Sequence, residues 1–246
     1  MKHFFCLVTA LMLLTSAAYA QLSEGTKVGV ATGKGLNTDR SGVFWTTPTE
    51  SSNVTGDFYI DSTWHEGSVK FNAAIPQFGG VETDTLSGIL IRYNLLNAEL
   101  EVLANRAKND IRVIKVGYLK SFKTQEPSPK LFVNVNALTK DASISGFCEV
   151  LSSGKLTLIK HYKTKITKPN YNPGFGTGQK NTIVRQDSEY YVISNGKPEK
   201  LNPGKKGIFS VMNDKQKDVE AYLKEKNVNF KTDEDLKGIF DFYNGK

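Results

Sequence analysis

GFCEVLSSGKLTLIKHYKTKI, residues 146–166, is the most strongly patterned stretch of the 246-residue sequence. In its middle, Ser152-Ser153-Gly154 supplies turn chemistry, because glycine can adopt the positive φ that a tight reversal needs. The residues after the turn alternate in polarity and are interrupted once by Lys160, as in a strand with one solvated face. The stretch therefore predicts a β-hairpin in the core of the fold. The apolar face of its second arm is formed by Leu156, Leu158, Tyr162 and Ile166.

The opposite face of this second arm is polar and basic, and the arm leads into the loop KPNYNPGFGTG, residues 168–178. Loops that a rigid strand presents are preferred binding positions. We therefore predict a ligand-binding site on this face and in this loop. The alternative is a solvated strand followed by a tether whose aromatic side chains are packed. The predicted ligand-binding residues are His161, Lys163, Lys165, Tyr171 and Phe175.

Short strand candidates recur about every ten residues between residues 56 and 200, without a helical period between them. This spacing predicts an α+β, mainly β fold whose residues 56–200 form an antiparallel β-sandwich or a barrel-like domain. The pattern does not choose between these two architectures. Besides the two arms of the hairpin, the candidate strands are residues 57–60, 68–71, 88–94, 99–103, 111–116, 118–123, 131–135, 182–185 and 189–193.

After residue 203 the apolar period changes from 2 to 3.6, which predicts a C-terminal helical element at residues 203–246. We expect three short helices, with Asn213 or Asp214 as the cap of the second and Thr232 as the cap of the third. Each has one apolar stripe, so the helices should pack on each other or on the sheet. The stripes contain Ile208, Phe209, Met212, Val219, Tyr222, Leu223, Leu236, Ile239, Phe240 and Tyr243.

The first twenty residues have the pattern of a secretory signal, with a basic start, an apolar run and the small-residue site Ala18-Tyr19-Ala20. The apolar run is shorter than the roughly 20 residues that a membrane span needs. We expect cleavage before Gln21, export to the periplasm, cell surface or extracellular space, and no transmembrane segment in the mature chain. Residues 21–55 are polar and rich in glycine, and they predict an extended or weakly ordered arm.

The mature sequence offers few groups for catalysis or metal binding. It contains His65, His161 and a single cysteine, Cys148, which is expected to be a buried thiol. Glu99 and Glu101 alternate on one strand and are interpreted as a polar surface face. We therefore predict no catalytic residues, no metal site and no cofactor.

The full chain carries a formal net charge of +7, and its cations are concentrated in residues 106–168. A basic strand face can meet a polyanion, but lysines also keep surfaces soluble and protect strand edges. Lysine outnumbers arginine and few aromatic residues are interleaved, so no nucleic-acid partner is expected.

Several blocks in one order resemble a family of exported, uncharacterised proteins of Bacteroidota. They are GDFYI (56–60), IRYNLLNAELE (91–101), GFCEVL (146–151), GKLTL (154–158), YY (190–191) and FYN (242–244). The resemblance covers about residues 56–246 and implies a Gram-negative periplasm or cell surface. None of the blocks is a catalytic signature, so the resemblance assigns no active-site residue.

The sequence predicts an exported, non-enzymatic binding or scaffolding protein of the cell envelope. Its expected partner is an envelope polyanion, a glycan or a protein. Two alternatives stay open: an envelope glycan hydrolase, whose paired carboxylates would be close only in space, and a carrier of a lipid or hydrophobic ligand, if the sheet encloses a cavity.

Overall fold

The computed structural model of the chain describes residues 45–46, 48, 54–76, 82–125, 128–140 and 143–245. The predicted signal segment and most of the predicted N-terminal arm lie outside these residues. The described strands are β1 (Trp45–Thr46), β2 (Val54–Gly56), β3 (His65–Pro76), β4 (Glu82–Asn94), β5 (Glu99–Asn105), β6 (Asp110–Lys115), β7 (Leu119–Thr124), β8 (Lys130–Asn134), β9 (Phe147–Ser152), β10 (Thr157–Thr167), β11 (Thr182–Ser194) and β12 (Lys197–Leu201). The described α-helices are α1 (Lys205–Val211), α2 (Gln216–Lys226) and α3 (Asp233–Asn244), and short 3₁₀ segments occupy Val116–Tyr118, Val135–Ala137 and Asn213–Lys215.

All of these strands belong to one sheet, followed by the three helices, which confirms the predicted α+β, mainly β fold class. The strand order is β1-β6-β5-β4-β3-β7-β8-β9-β10-β11-β12, and every neighbouring pair along this path is antiparallel. β2 lies off the path and pairs in parallel with β11. The predicted hairpin is β9–β10, and it occupies the eighth and ninth of the eleven positions along this path.

The sheet curls so that β11 approaches β4, six strand positions away. Gly56 pairs with Val184 of β11, and only three residues later Tyr59 bridges Asn94 at the end of β4. Through this segment β11 lies at most about 20 Å from β4. In a flat sheet, six strand intervals would separate the two strands by about 29 Å. Residues 54–60 therefore link two distant strands across the concave side, and the predicted strand at 57–60 is wrong apart from the bridge at Tyr59.

Aromatic and aliphatic side chains pack together on the concave side. The Phe122 ring stacks on Phe132 with centroids 4.6 Å apart, and it meets Phe147 edge-on at 4.9 Å. Tyr93 on β4 contacts Phe147 on β9 at 5.5 Å, although three strands separate β4 from β9. These contacts require the curl and form one continuous core that also holds Leu100, Ile114 and Tyr162.

The three helices cover the same face of β9, β10 and β11 that carries Phe147 and Tyr162, further along these strands. Leu158 of β10 is fully buried in a cluster with Val219 of α2 and Phe240 of α3, as the apolar stripes predicted. The Thr232 hydroxyl accepts the Asp235 N–H at 3.1 Å, which confirms the predicted cap of α3. The predicted cap of α2 is wrong, because Asn213 and Asp214 fall in a 3₁₀ segment and no side chain caps α2.

Lys160, the single interruption of the apolar strand face, has a specific partner in the helices. Its Nζ lies 2.7 Å from Oδ2 of Asp233, at the start of α3, and Asp233 also accepts the Tyr190 hydroxyl at 2.6 Å. Burial opposes ionisation of Asp233, but these hydrogen bonds outweigh it and lower its pKa. Lys160 therefore connects the sheet to the N-terminus of α3 through an ion pair, and its charge is not left without a partner.

The opposite face of β9 and β10 is also covered at this level. Ile159 and Cys148 are fully buried with Val135 and Ile144, which belong to the connection between β8 and β9. Burial raises the pKa of the Cys148 thiol to about 12, so this thiol is protonated at neutral pH. The predicted buried thiol is confirmed.

Two further predictions differ from the structure. The candidates at 182–185 and 189–193 form one continuous strand, β11, because the polar residues between them keep pairing with β10. Glu101 was interpreted as a surface residue, but its side chain is buried and Oε2 lies 2.7 Å from the Arg92 guanidinium. The Tyr59 hydroxyl donates to Glu101 at 2.9 Å, so this carboxylate helps to hold residues 57–60 against β4 and β5.

Candidate functional site

The candidate site lies where the β10–β11 pair extends beyond β9. β10 pairs with β9 only from Leu158 to His161, whereas its pairing with β11 continues until Thr167 lies opposite Ile183. We call residues 164–186 the hairpin tip; they comprise the ends of both strands and the loop between them. The tip contains four cationic residues and no acidic residue. The four are Lys165, Lys168, Lys180 and Arg185.

Two of the predicted site residues, His161 and Lys163, lie next to the tip and are held by protein groups. His161 Nε2 is 2.9 Å from the Ser145 carbonyl oxygen, and the ring lies edge-on to Tyr191. Lys163 Nζ donates to Oε1 of Glu189 at 2.5 Å. Both side chains therefore already have partners within the protein.

Glu189 neutralises the strand face at this position. Its carboxylate accepts hydrogen bonds from Lys163 and, at 2.6 Å, from Lys200 on β12. These bonds hold the pKa of Glu189 at about 2, so the carboxylate stays ionised throughout the physiological range. The basic strand face that the sequence predicts is consequently neutralised at Lys163.

Two residue pairs further along the hairpin, the described residues do not neutralise the charge. Lys165 lies directly opposite Arg185, and both are exposed. Within the described part of the chain, neither forms an ion pair. Like charges facing each other across two strands destabilise the pair. An anion bound between them would relieve this repulsion, so the pair is the part of the tip best suited to anion binding.

The loop of the tip has a defined conformation. Asn170 N–H donates to the Gln179 carbonyl at 3.0 Å, and Asn172 N–H donates to the Thr177 carbonyl at 2.8 Å. The Asn170 side chain also accepts the Gln179 N–H at 2.8 Å. Gly178 has φ +95° and lies against the Asn170 backbone, where a Cβ would collide with the carbonyl oxygen. The loop is therefore a small second hairpin, rather than an open tether, in the described structure.

This second hairpin presents its aromatic side chains to solvent. Phe175 lies in the turn and is 81% exposed. Tyr171 is partly exposed, and Lys180 Nζ lies 4.6 Å from the centre of its ring. Ile166 is 51% exposed, which corrects its predicted place on the core face. The tip thus combines unneutralised cations with exposed apolar surface.

The structure gathers Lys165, Tyr171 and Phe175 on the tip and leaves His161 and Lys163 at its edge. Sequence reasoning missed Lys180 and Arg185. Arg185 could have been found by pairing β11 against β10, since its position opposite Lys165 follows from the register. The stacking of Lys180 on Tyr171 depends on the loop fold and had no sequence signal.

Catalytic and metal chemistry have little support among the described side chains. No group of three or more His, Cys, Asp or Glu side chains there is arranged to hold a metal ion. His65 does not pair with Glu66; its Nε2 lies 3.0 Å from the Asp61 carboxylate. None of the helices in the described ranges combines the length and apolar character of a membrane-crossing helix.

Comparison of the chain with protein-family models, with curated proteins and with solved structures finds no match in any of the three. The resemblance to exported Bacteroidota proteins therefore stays a prediction. The function of the tip has to be inferred from its own charge, exposure and hydrogen bonding.

Proposed function

We propose that this protein is an exported, non-enzymatic binding protein of the cell envelope, and that the hairpin tip binds an acidic polysaccharide. The observation that carries the proposal is the unneutralised Lys165–Arg185 pair beside an exposed aromatic loop. Export itself rests on the predicted signal in residues 1–20, which N-terminal sequencing of the secreted chain would test by showing a start at Gln21.

The chemistry of the tip fits an acidic sugar polymer in two respects. The four cations of the tip, which contains no acidic residue within its own bounds, attract the carboxylate, phosphate or sulfate groups of the polymer. Exposed aromatic faces such as Phe175 and Tyr171 offer apolar surface to the faces of sugar rings. The defined loop conformation limits the ordering that binding would otherwise require.

The other functional hypotheses receive less support. Packed aromatic and aliphatic side chains occupy much of the concave side of the sheet, which argues against enclosure of a lipid chain. For a glycan hydrolase, a carboxyl group with a raised pKa is expected as proton donor. Asp61 beside the concave cavity has instead a lowered pKa, chiefly because it accepts the Thr63 N–H.

The proposal is tested by titrating the mature chain with heparin, as a generic acidic polysaccharide, and with neutral dextran. We expect heparin binding that weakens as salt rises, because exposed charges are screened, and no dextran binding. The double variant Lys165→Ala/Arg185→Ala should lose about tenfold or more in heparin affinity. Phe175→Ala should weaken binding several-fold without changing its salt dependence.

A matched charge control is Lys206→Ala/Lys217→Ala, which removes two exposed lysines from α1 and α2. If both double variants lose affinity equally, binding reflects net charge and the tip is not the site. If the wild type binds vesicles containing anionic lipid but not heparin, the partner class proposed here is wrong.

A further inference from the structure

Among the described residues, the curled sheet leaves a cavity on its concave side that the hairpin tip does not use. Its volume is about 120 Å³. We call it the sheet cavity. It is bounded by β3, β4, β7, β8 and β10 together with the segment that links β2 to β3. Its lining residues are Ile60, Asp61, His65, Ile91, Arg92, Tyr93, Phe122, Thr124, Lys130, Phe132 and Tyr162.

The sheet cavity is apolar at its base and polar at its mouth. Ile91, Phe122 and Phe132 are almost completely buried. The polar lining residues are more accessible, with 51% of the Asp61 side chain and 38% of the Lys130 side chain exposed. A ligand would therefore enter past the polar groups and place its apolar part against the aromatic base, as in small-molecule sites generally.

The walls of the cavity are fixed by close packing. Gly67 of β3 lies against the Ile91 side chain, and a Cβ at this position would collide with Ile91 and with the Lys123 carbonyl. The Tyr162 hydroxyl donates to the buried Glu149 at 2.6 Å, which holds the ring in place. A cavity with walls of this kind is largely formed before a ligand arrives.

The polar groups at the mouth are already paired with one another. His65 Nε2 lies 3.0 Å from Asp61, and Lys130 Nζ lies 3.4 Å from Glu149. Because these groups already have partners, a ligand does not need a charge to bind at the mouth. Both pairs retain hydrogen-bonding capacity, since an ammonium has three donor hydrogens and a carboxylate can accept several bonds.

The volume limits the ligand to a single ring. An engineered apolar cavity of about 150 Å³ binds benzene and excludes water, and the sheet cavity is slightly smaller. Aromatic rings on several sides favour a planar aromatic ligand through edge and face contacts. A hydroxyl group on this ring would reach the polar mouth, whereas a second ring would exceed the volume.

From these features we propose that the sheet cavity binds a phenol: one aromatic ring that carries a hydroxyl group. The ring rests on Phe122 and Phe132, and the hydroxyl bonds to the groups of the mouth at His65 or Lys130. The phenol is either a free small molecule or the side chain of a tyrosine on a peptide, because both present the same ring and hydroxyl.

The test uses the mature protein with isotope-labelled isoleucine methyl groups. Titration with p-cresol should shift the methyl resonances of Ile60 and Ile91, which line the cavity, and should leave Ile208 and Ile239 beneath the helices unchanged. Toluene, which lacks the hydroxyl, should bind about five- to tenfold more weakly. N-acetyl-tyrosine amide distinguishes the sources, since it shifts the same resonances only if a peptide-borne ring can enter.

Thr124→Trp places a large side chain at the mouth and should reduce p-cresol affinity at least about tenfold. The matched control is Lys123→Trp on the neighbouring exposed position of β7, which should bind p-cresol like the wild type. The proposal is overturned if the wild type shows no shift at Ile60 and Ile91. It is equally overturned if toluene binds as tightly as p-cresol, or if the two tryptophan variants bind alike.

Discussion

The two ends of the β10–β11 pair differ sharply, although one unbroken register joins them. At the base, Leu158 and Ile159 point to opposite faces and both are fully buried. At the tip, Lys165 and Arg185 face each other in solvent and Phe175 is 81% exposed. The same hairpin thus anchors the core at one end and presents a basic, aromatic surface at the other.

The difference arises from what covers the strands, not from their pairing. At the base, the helices cover one face and the connection between β8 and β9 covers the other. β9 stops pairing with β10 at His161, and beyond this level the residues of the β10–β11 pair are at least partly exposed, except Tyr162 and Val184. Most residues beyond this level are not needed to complete the core. They can therefore serve in binding without a large cost in stability.

The largest expected effect contrasts two residues on the same face of β10. Leu158→Ala should lower the free energy of unfolding by about 3 kcal/mol, because it opens a cavity between the sheet and the helices. Ile166→Ala should cost roughly 0.5 kcal/mol or less, because Ile166 is 51% exposed. Urea denaturation of both variants checks this; equal costs would contradict the division between base and tip.

The second-largest effect concerns the hydrogen bonds that join the end of α3 to the turn between β9 and β10. The Asn244 amide donates to the Leu156 carbonyl at 2.9 Å and accepts the Leu156 N–H at 3.1 Å. Gly154 is needed in the turn because a Cβ there would collide with the Asn244 side chain. Asn244→Ala should cost about 2 kcal/mol, since it leaves both backbone groups of Leu156 without these partners.

The control for Asn244→Ala is Asn213→Ala, because Asn213 is exposed in the 3₁₀ segment before α2. Chemical denaturation should show almost no change for this control. Hydrogen exchange at the Leu156 amide gives a local measure, and it should accelerate in Asn244→Ala but not in Asn213→Ala. Unchanged exchange at Leu156 would show that Asn244 does not fasten the turn.

A smaller, pH-dependent effect is expected at Asp233. Its pKa in the folded state is lowered, so it stabilises the fold above its unfolded pKa, and this stabilisation is lost as pH falls through the folded value. Asp233→Asn should cost about 1 kcal/mol at pH 7. The difference between wild type and variant should shrink on acidification from pH 5 towards pH 2.

Urea midpoints measured across this pH range check the prediction at Asp233. Asp218→Asn, at an exposed position in the first turn of α2, serves as the control and should change the urea midpoint at pH 7 less than Asp233→Asn does. A wild-type to Asp233→Asn difference that stays constant or grows on acidification would contradict the assigned role of Asp233.

Much of the base could be predicted from local periodicity. The alternation around Leu158 and the helical stripe ending at Tyr243 each signal a buried face, and both lie in one cluster. What periodicity could not show is which apolar faces stay uncovered. Ile166 continues the alternation of Leu158, yet it is exposed because the helices do not reach it.

Charged residues were predicted least well, because their surroundings depend on distant segments. Glu101 alternates like a surface residue but is buried against Arg92, its cross-strand partner on β4, and against Tyr59 in the segment between β2 and β3. Lys160 interrupts an apolar strand face in the sequence, and its ion-pair partner, Asp233, lies far along the chain at the start of α3. The Lys165–Arg185 pair was missed as well, although the register of two neighbouring strands places its members opposite each other.

The smallest expected effect on stability is also the one that separates binding from folding. Lys165→Glu replaces a like-charge pair with Arg185 by an attractive one, so the protein should become more stable by roughly 0.5 kcal/mol or less, because both positions are exposed and screened. Heparin affinity should fall at the same time. Lys206→Glu makes the same charge change on α1 and should alter neither property as much. If Lys165→Glu loses both stability and heparin binding, then Lys165 stabilises the fold. The like-charge pair with Arg185 would then not be an unfavourable contact that an anion relieves.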